Sequence, residues 1–126
     1  MADDSFDLDA AGLRADGADV AAYVEVLARK LEDALPAETT VRRRSKGFLS
    51  RDKVVEAIEV TLGENRFGLV RRGHRVECSR ATAVRGVVIR REPLELSPWV
   101  GALTEELREQ AAGSSRAREA FERLVG

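Results

Sequence analysis

Between Thr39 and Ile89 the sequence alternates apolar and polar residues in short runs, with only a few turn residues separating one run from the next. Ile58, Val60 and Leu62 alternate with Glu59 and Thr61, the period-two signature of a half-buried strand. Gly63-Glu64-Asn65 then supplies a turn of hairpin length, after which Phe67 and Leu69 carry the same face back. Arg72-Gly73 makes the next turn, Val76 and Cys78 alternate with Glu77 and Ser79, and Gly86 precedes a last run, Val87-Val88-Ile89. Thr39, Thr40 and Val41 open the extended region, and residues 81–85 read equally as loop or as continuing strand. Every connection is too short for a crossover helix. The strands, four to five of them, must therefore follow one another as an antiparallel meander.

The flanks of this region change period. After Asp19, a plausible N-cap, Val20, Val24, Leu27, Leu31 and Leu35 recur every three or four residues, and Pro36 forbids continuation. This spacing predicts a helix with one apolar stripe. Downstream, Ser97-Pro98 reads as a serine N-cap with proline at the first helical position. Trp99, Val100, Leu103 and Leu107 form the stripe that follows, with Glu105 and Glu106 on the other side. Gly113 suits a C-cap, Ser114 or Ser115 a new N-cap, and Phe121, Leu124 and Val125 a short last helix. Each helix has a single stripe to bury, so the reading is an α+β fold: an N-terminal helix, a meander sheet, and two C-terminal helices packed on one sheet face. Residues 1–18 are acidic and aperiodic and are expected to form a flexible tail ahead of a single domain, 19–126.

Composition bounds the setting. A chain of 126 residues, 44% apolar and 34% charged, is long enough for one domain with a real core. The lone cysteine, Cys78, excludes an internal disulfide, no stretch approaches 18 apolar residues, and the first residues are acidic where a secretory leader would be basic. A soluble cytoplasmic protein is expected. The net charge of −1 conceals a segregation: residues 42–91 hold 14 basic side chains against 5 acidic ones, and the remainder is correspondingly acidic.

Signals for catalysis are sparse. His74 and Cys78 lie four apart, a spacing that keeps both on one strand face, yet His74 follows a turn glycine and Cys78 alternates with apolar Val76. Solvent and core are their expected places, and two ligands alone make no zinc site. Glu105-Glu106 and the Glu92/Glu95 pair read as solvated charges. Phosphate loops, nucleophile elbows and RNA-recognition aromatics are absent. The expectation is a non-enzymatic protein with no cofactor and no metal.

The basic centre carries the functional signal. On a strand Arg42 and Arg44 point one way, and Val41 and Arg43 the other. Arg71, Arg72 and Arg75 ring a turn, and Lys46 and Arg51 sit in the connection that also contains Phe48. Arginine's planar fork fits carboxylate and phosphate alike. The expected binding residues are Arg42, Arg44, Lys46, Arg51, Arg71, Arg72 and Arg75. The expected role is a protein-interaction module, adaptor or chaperone-like, meeting a protein partner or a second copy of itself through a basic sheet face or a homodimer interface. The alternative is an anion or nucleic-acid binder with the acidic tail as intramolecular competitor. The pI of about 5.9 argues for the first, and no membrane partner is expected.

Overall fold

The computed structural model describes residues 17–47, 51–113 and 115–125. Among them the order is α1 (Gly17–Ala34), β1 (Thr39–Ser45), β2 (Lys53–Leu62), β3 (Asn65–Arg72), β4 (Arg75–Val84), β5 (Val87–Leu94), α2 (Leu96–Ala111) and α3 (Ser115–Val125). The five strands form one antiparallel sheet in the order β1-β2-β3-β4-β5, which is the expected meander and the expected α+β class. Residues 81–84 are strand.

Three two-residue connections make the meander, and their backbone explains their residues. Gly63 and Gly73 take φ of +60° and +65°, and the β4–β5 turn places Arg85 and Gly86 at +54° and +82°. Two consecutive positive φ values give the type I′ geometry whose twist matches paired strands.

The helices lie on one face of the sheet. α1 rests on β1 and β2, α2 rests on β4, and α3 packs against both of the other helices. The helical stripe of Val20, Val24, Leu27 and Leu31 is buried against Val55, Ile58 and Val60, and Leu103, Leu107 and Leu124 complete the core. Trp99 and Phe67, both fully buried, meet edge to face at 6.4 Å, and the indole Nε1 donates to the Ser79 carbonyl at 3.0 Å. Its one polar atom is thereby satisfied.

Three helix boundaries differ from expectation. α1 begins at Gly17, so Asp19 falls inside its first turn and residues 17 and 18 belong to the helix; the rest of the expected tail, 1–16, lies outside the described residues. α2 begins at Leu96 with Glu95 at the N-cap position, two residues ahead of the Ser97 expectation. The buried Leu96 side chain explains the shift, because the core claims it. Pro98 is still compatible with the first turn, where its missing N–H has no intrahelical partner; Trp99 makes the first bond, to the Glu95 carbonyl at 2.9 Å. At the other end Ala112 takes the C-cap position with right-handed φ, ahead of Gly113.

One irregularity positions the surface discussed below. Between Arg42 and Arg43 the β1–β2 register shifts: Arg42 pairs with Ala57 and Arg43 with Val55, leaving Glu56 as an extra residue. Strict alternation back from Ile58 would bury Glu56 and Val54. The bulge buries Val55 instead and turns Val54 to the opposite face. The Val55 N–H donates to Glu25 Oε2 on α1 at 2.6 Å, so the helix satisfies a donor at the irregularity.

Candidate interaction surface on the open sheet face

Paired residues share a face, so the register sorts every strand residue. Ile58, Phe67, Leu69 and Cys78 lie beneath the helices, as do Arg43, Arg71 and Arg80. The opposite face carries Arg42, Arg44, Val54, Ala57, Glu59, Arg66, Gly68, Val70, Arg72, Arg75, Glu77, Ser79, Ala81 and Arg91. No described helix packs on that face.

The two faces treat arginine differently. On the helix side Arg43 donates twice to Glu32 of α1, at 2.7 and 3.0 Å, and Arg80 Nε donates to Glu92 at 3.0 Å. The Arg43 guanidinium holds the Glu32 carboxyl below its ordinary range, and Arg80 does the same to Glu92. On the open face Arg42 pairs with Glu56 at 3.3 Å and Arg72 with Glu77 at 2.8 Å, both pairs well exposed. Exposed pairs of this kind contribute little and yield readily to a competing carboxylate. Arg44, Arg66, Arg75 and Arg91 have no carboxylate partner among the described residues.

The structure gathers most of the expected site at one end of the sheet. In a meander the end of β1, the start of β2, the end of β3 and the start of β4 all lie together. Arg42, Arg44, Arg72 and Arg75 therefore share one end of the open face, with β1 and β4 about 14 Å apart across three interstrand spacings. Half-buried Val54 and Val70 lie between them. Lys46 and Arg51 rim the same end in the exposed β1–β2 connection, which the Lys46 N–H closes on the Asp52 carbonyl at 2.9 Å. Phe48 of that connection lies outside the described residues. Arg71 departs from the set: it points to the helix side, and its Nε donates to the Gly73 carbonyl at 3.3 Å.

Arg90 and Arg91 do not join this end. Arg91 and Arg66 flank the buried Ala81 in the other half of the open face. Arg66 is legible as outward-facing once Phe67 is assigned to the core, since it precedes it, whereas the facing of Arg91 follows only from its pairing with Ala81. The β5 edge adds an apolar feature that arginine counting passes over: Val87 and Ile89 are 63% and 65% exposed, with Val88 beside them.

Elsewhere the signals are structural. His74 occupies an exposed turn position, and Cys78 is buried, where burial, together with the charge of Glu95, pushes its thiol up to about 12. Among the described residues no three His, Cys, Asp or Glu side chains gather as metal ligands, and no helix is long and apolar enough to cross a membrane. A groove of about 540 Å³ lies at the far end of the fold, floored by Leu35, Leu62 and Leu107. Its rim is internally paired, Arg116 with Glu38 at 3.1 Å and Arg123 with Glu119 at 3.6 Å, and no expected site residue lines it. The chain matches no protein-family model, no curated protein and no solved structure.

Proposed function

We propose that the protein is a non-catalytic interaction module of the cytoplasm, adaptor or chaperone-like, that docks an acidic segment of a partner protein on the open sheet face. The observation that carries this reading is the grouping of Arg42, Arg44, Arg72 and Arg75 around Val54 and Val70 on a face no described helix covers. Guanidinium forks match carboxylates in pairs, and the valines offer apolar contact between them. A peptide is favoured over nucleic acid because none of the described aromatic rings is exposed: Tyr23, Phe67 and Trp99 are buried and Phe121 is packed against the core. Single strands rely on such rings for stacking. Lone, buried Cys78 suits a reducing compartment.

Fluorescence anisotropy tests the reading, with a labelled peptide of alternating glutamate and leucine in one arm and labelled oligothymidylate in the other. The peptide is expected to bind at low salt and weaken as salt rises, and R44E/R75E is expected to reduce its affinity at least about tenfold. Unchanged peptide affinity in R44E/R75E places the site elsewhere. Tighter binding of the oligonucleotide installs the anion-binding alternative.

Self-association is a second reading, favoured by the exposed Val87, Val88 and Ile89 on the free edge of β5. Two copies meeting edge to edge about a two-fold axis would place this patch against itself. Sedimentation velocity is expected to show a dimer that Ile89→Lys dissociates. A wild-type monomer at high concentration removes this reading.

A further inference from the structure

The direction of α1 decides where the chain's first residues emerge. Its C-terminal end is tied to the start of β1, where Thr39 Oγ1 donates to the Leu31 carbonyl at 3.3 Å and the Thr39 N–H donates to the Leu35 carbonyl at 3.0 Å. Its middle lies over the start of β2, where Glu25 accepts from the Val55 N–H. The helix thus runs from the basic end of the sheet toward the far end. From Glu25 back to Gly17 it extends a further 12 Å or so at 1.5 Å per residue. Gly17, to which residues 1–16 are joined, consequently lies at the end where Lys46, Arg51, Arg44 and Arg75 are gathered.

Their chemistry complements that end. Residues 1–16 carry Asp3, Asp4, Asp7, Asp9 and Asp16 against one cation, Arg14, with Phe6, Leu8 and Leu13 interspersed. The receiving surface offers guanidinium groups with no carboxylate partner among the described residues at Arg44 and Arg75, exposed pairs at Arg42 and Arg72, and the half-buried Val54 and Val70. Reach is ample. Sixteen residues span up to about 50 Å when extended, whereas the path from the start of α1 around the sheet end to Arg42 and Arg75 is on the order of 25 Å.

We propose that residues 1–16 are the resident occupant of the basic end of the open face, held by their aspartates on Arg42, Arg44, Arg72 and Arg75, and that an acidic partner must displace them. The proposal rests on the docking reading above and adds its regulation. A partner then binds in competition with a local acidic segment. Because that segment is tethered, its effective concentration is in the millimolar range, so even a weak contact excludes weak acidic ligands while admitting strong ones.

The test uses the full-length chain and D3N/D4N/D7N/D9N, with the labelled glutamate–leucine peptide as probe. Asp16 is kept because it adjoins α1. The variant is expected to bind the probe about fivefold more tightly than wild type at low salt, and the difference is expected to vanish near 0.5 M salt, where screening is nearly complete. A second measurement locates the segment. Buried Cys78 is unreactive, so a nitroxide attaches selectively to Ser5→Cys, and it is expected to broaden the amide signals of Lys46, Arg51, Gly73 and Arg75 while sparing Arg116 and Glu119. Equal probe affinities, or broadening confined to the α1–α3 groove, overturn the masking proposal and leave the docking reading standing. Failure of both proteins to bind the probe, with R44E/R75E inert, overturns the docking reading itself.

Discussion

Arg43 and Arg44 are neighbours on β1, yet they belong to different parts of the molecule. Arg43 lies beneath α1 and is clamped by both oxygens of Glu32; Arg44 stands on the open face with no carboxylate partner among the described residues. The same contrast separates Arg80, bound to Glu92, from Arg66 and Arg91 across the sheet. A run of arginines in sequence is therefore two populations in space. On the covered face Arg43 stitches sheet to helix and Arg80 strand to strand, while on the uncovered face the arginines are either in exposed pairs or without a carboxylate partner among the described residues. The difference comes from the period of a strand, which sends adjacent side chains to opposite sides.

The covered face should be where substitution costs most. Trp99 fills the contact between α2 and the sheet, stacks edge-on against Phe67 and donates to Ser79. Trp99→Ala is expected to cost about 3–5 kcal/mol in urea unfolding. An effect as small as that of an open-face substitution would mean that the two layers are not a single cooperative core. Next in size is Glu25→Ala. It removes the acceptor of the Val55 N–H at the β1–β2 bulge, and a part-buried donor left unpaired costs about 1–3 kcal/mol. Restoring near-normal stability with Glu25→Gln, whose amide oxygen can still accept, would locate the effect in this one bond.

How far these contrasts were visible beforehand depends on which residues carry them. The stripe Val20, Val24, Leu27, Leu31 and the turn residues Gly63, Gly73 and Gly86 announce helix and meander directly, because each depends only on local period and local φ. The bulge at Glu56 is different. Nothing in Val54-Val55-Glu56-Ala57 distinguishes regular alternation from an inserted residue, since the choice is made by which valine α1 buries and by an acceptor, Glu25, thirty residues earlier. The displaced start of α2 has the same character: Ser97-Pro98 is a good local signal, overruled by the burial of Leu96. Arg71 was grouped with Arg72 and Arg75 by proximity in sequence, but register with Val76 sends it to the helix side. Of the expected site, only Arg42 and Arg44 owe their facing to alternation in the sequence; Arg71, Arg72 and Arg75 are grouped by one turn, and register keeps Arg72 and Arg75 on the open face while sending Arg71 to the other.

Acid separates the two faces again. Arg43 holds the Glu32 carboxyl below its ordinary value of 4.5, and Arg80 holds that of Glu92 below the same value. A carboxylate depressed in the folded state favours folding above its unfolded value and loses that contribution as pH falls through the folded one. Stability is thus expected to hold steady from neutrality to about pH 5 and to decline below the unfolded value, with Glu32→Gln flattening part of that decline. An identical acid slope in wild type and Glu32→Gln would show that the Arg43 clamp does not persist in solution.

The smallest expected effect is the most diagnostic. Arg44→Glu should change unfolding free energy by no more than about 0.5 kcal/mol, as for a surface position with no carboxylate partner among the described residues, while Arg43→Glu should cost more because it sets a carboxylate against Glu32. Measured together by urea unfolding, the pair compares two chemically identical changes one residue apart. Binding of the acidic peptide should rank them the other way round, with Arg44→Glu weakening it and Arg43→Glu leaving it nearly unchanged after correction for stability. If both substitutions destabilise equally and neither affects the peptide, Arg44 is an internal ion-pair partner and the open face has lost its strongest claim as a docking surface. If the rankings cross as expected, stability and recognition in this sheet are carried by opposite faces of the same strand.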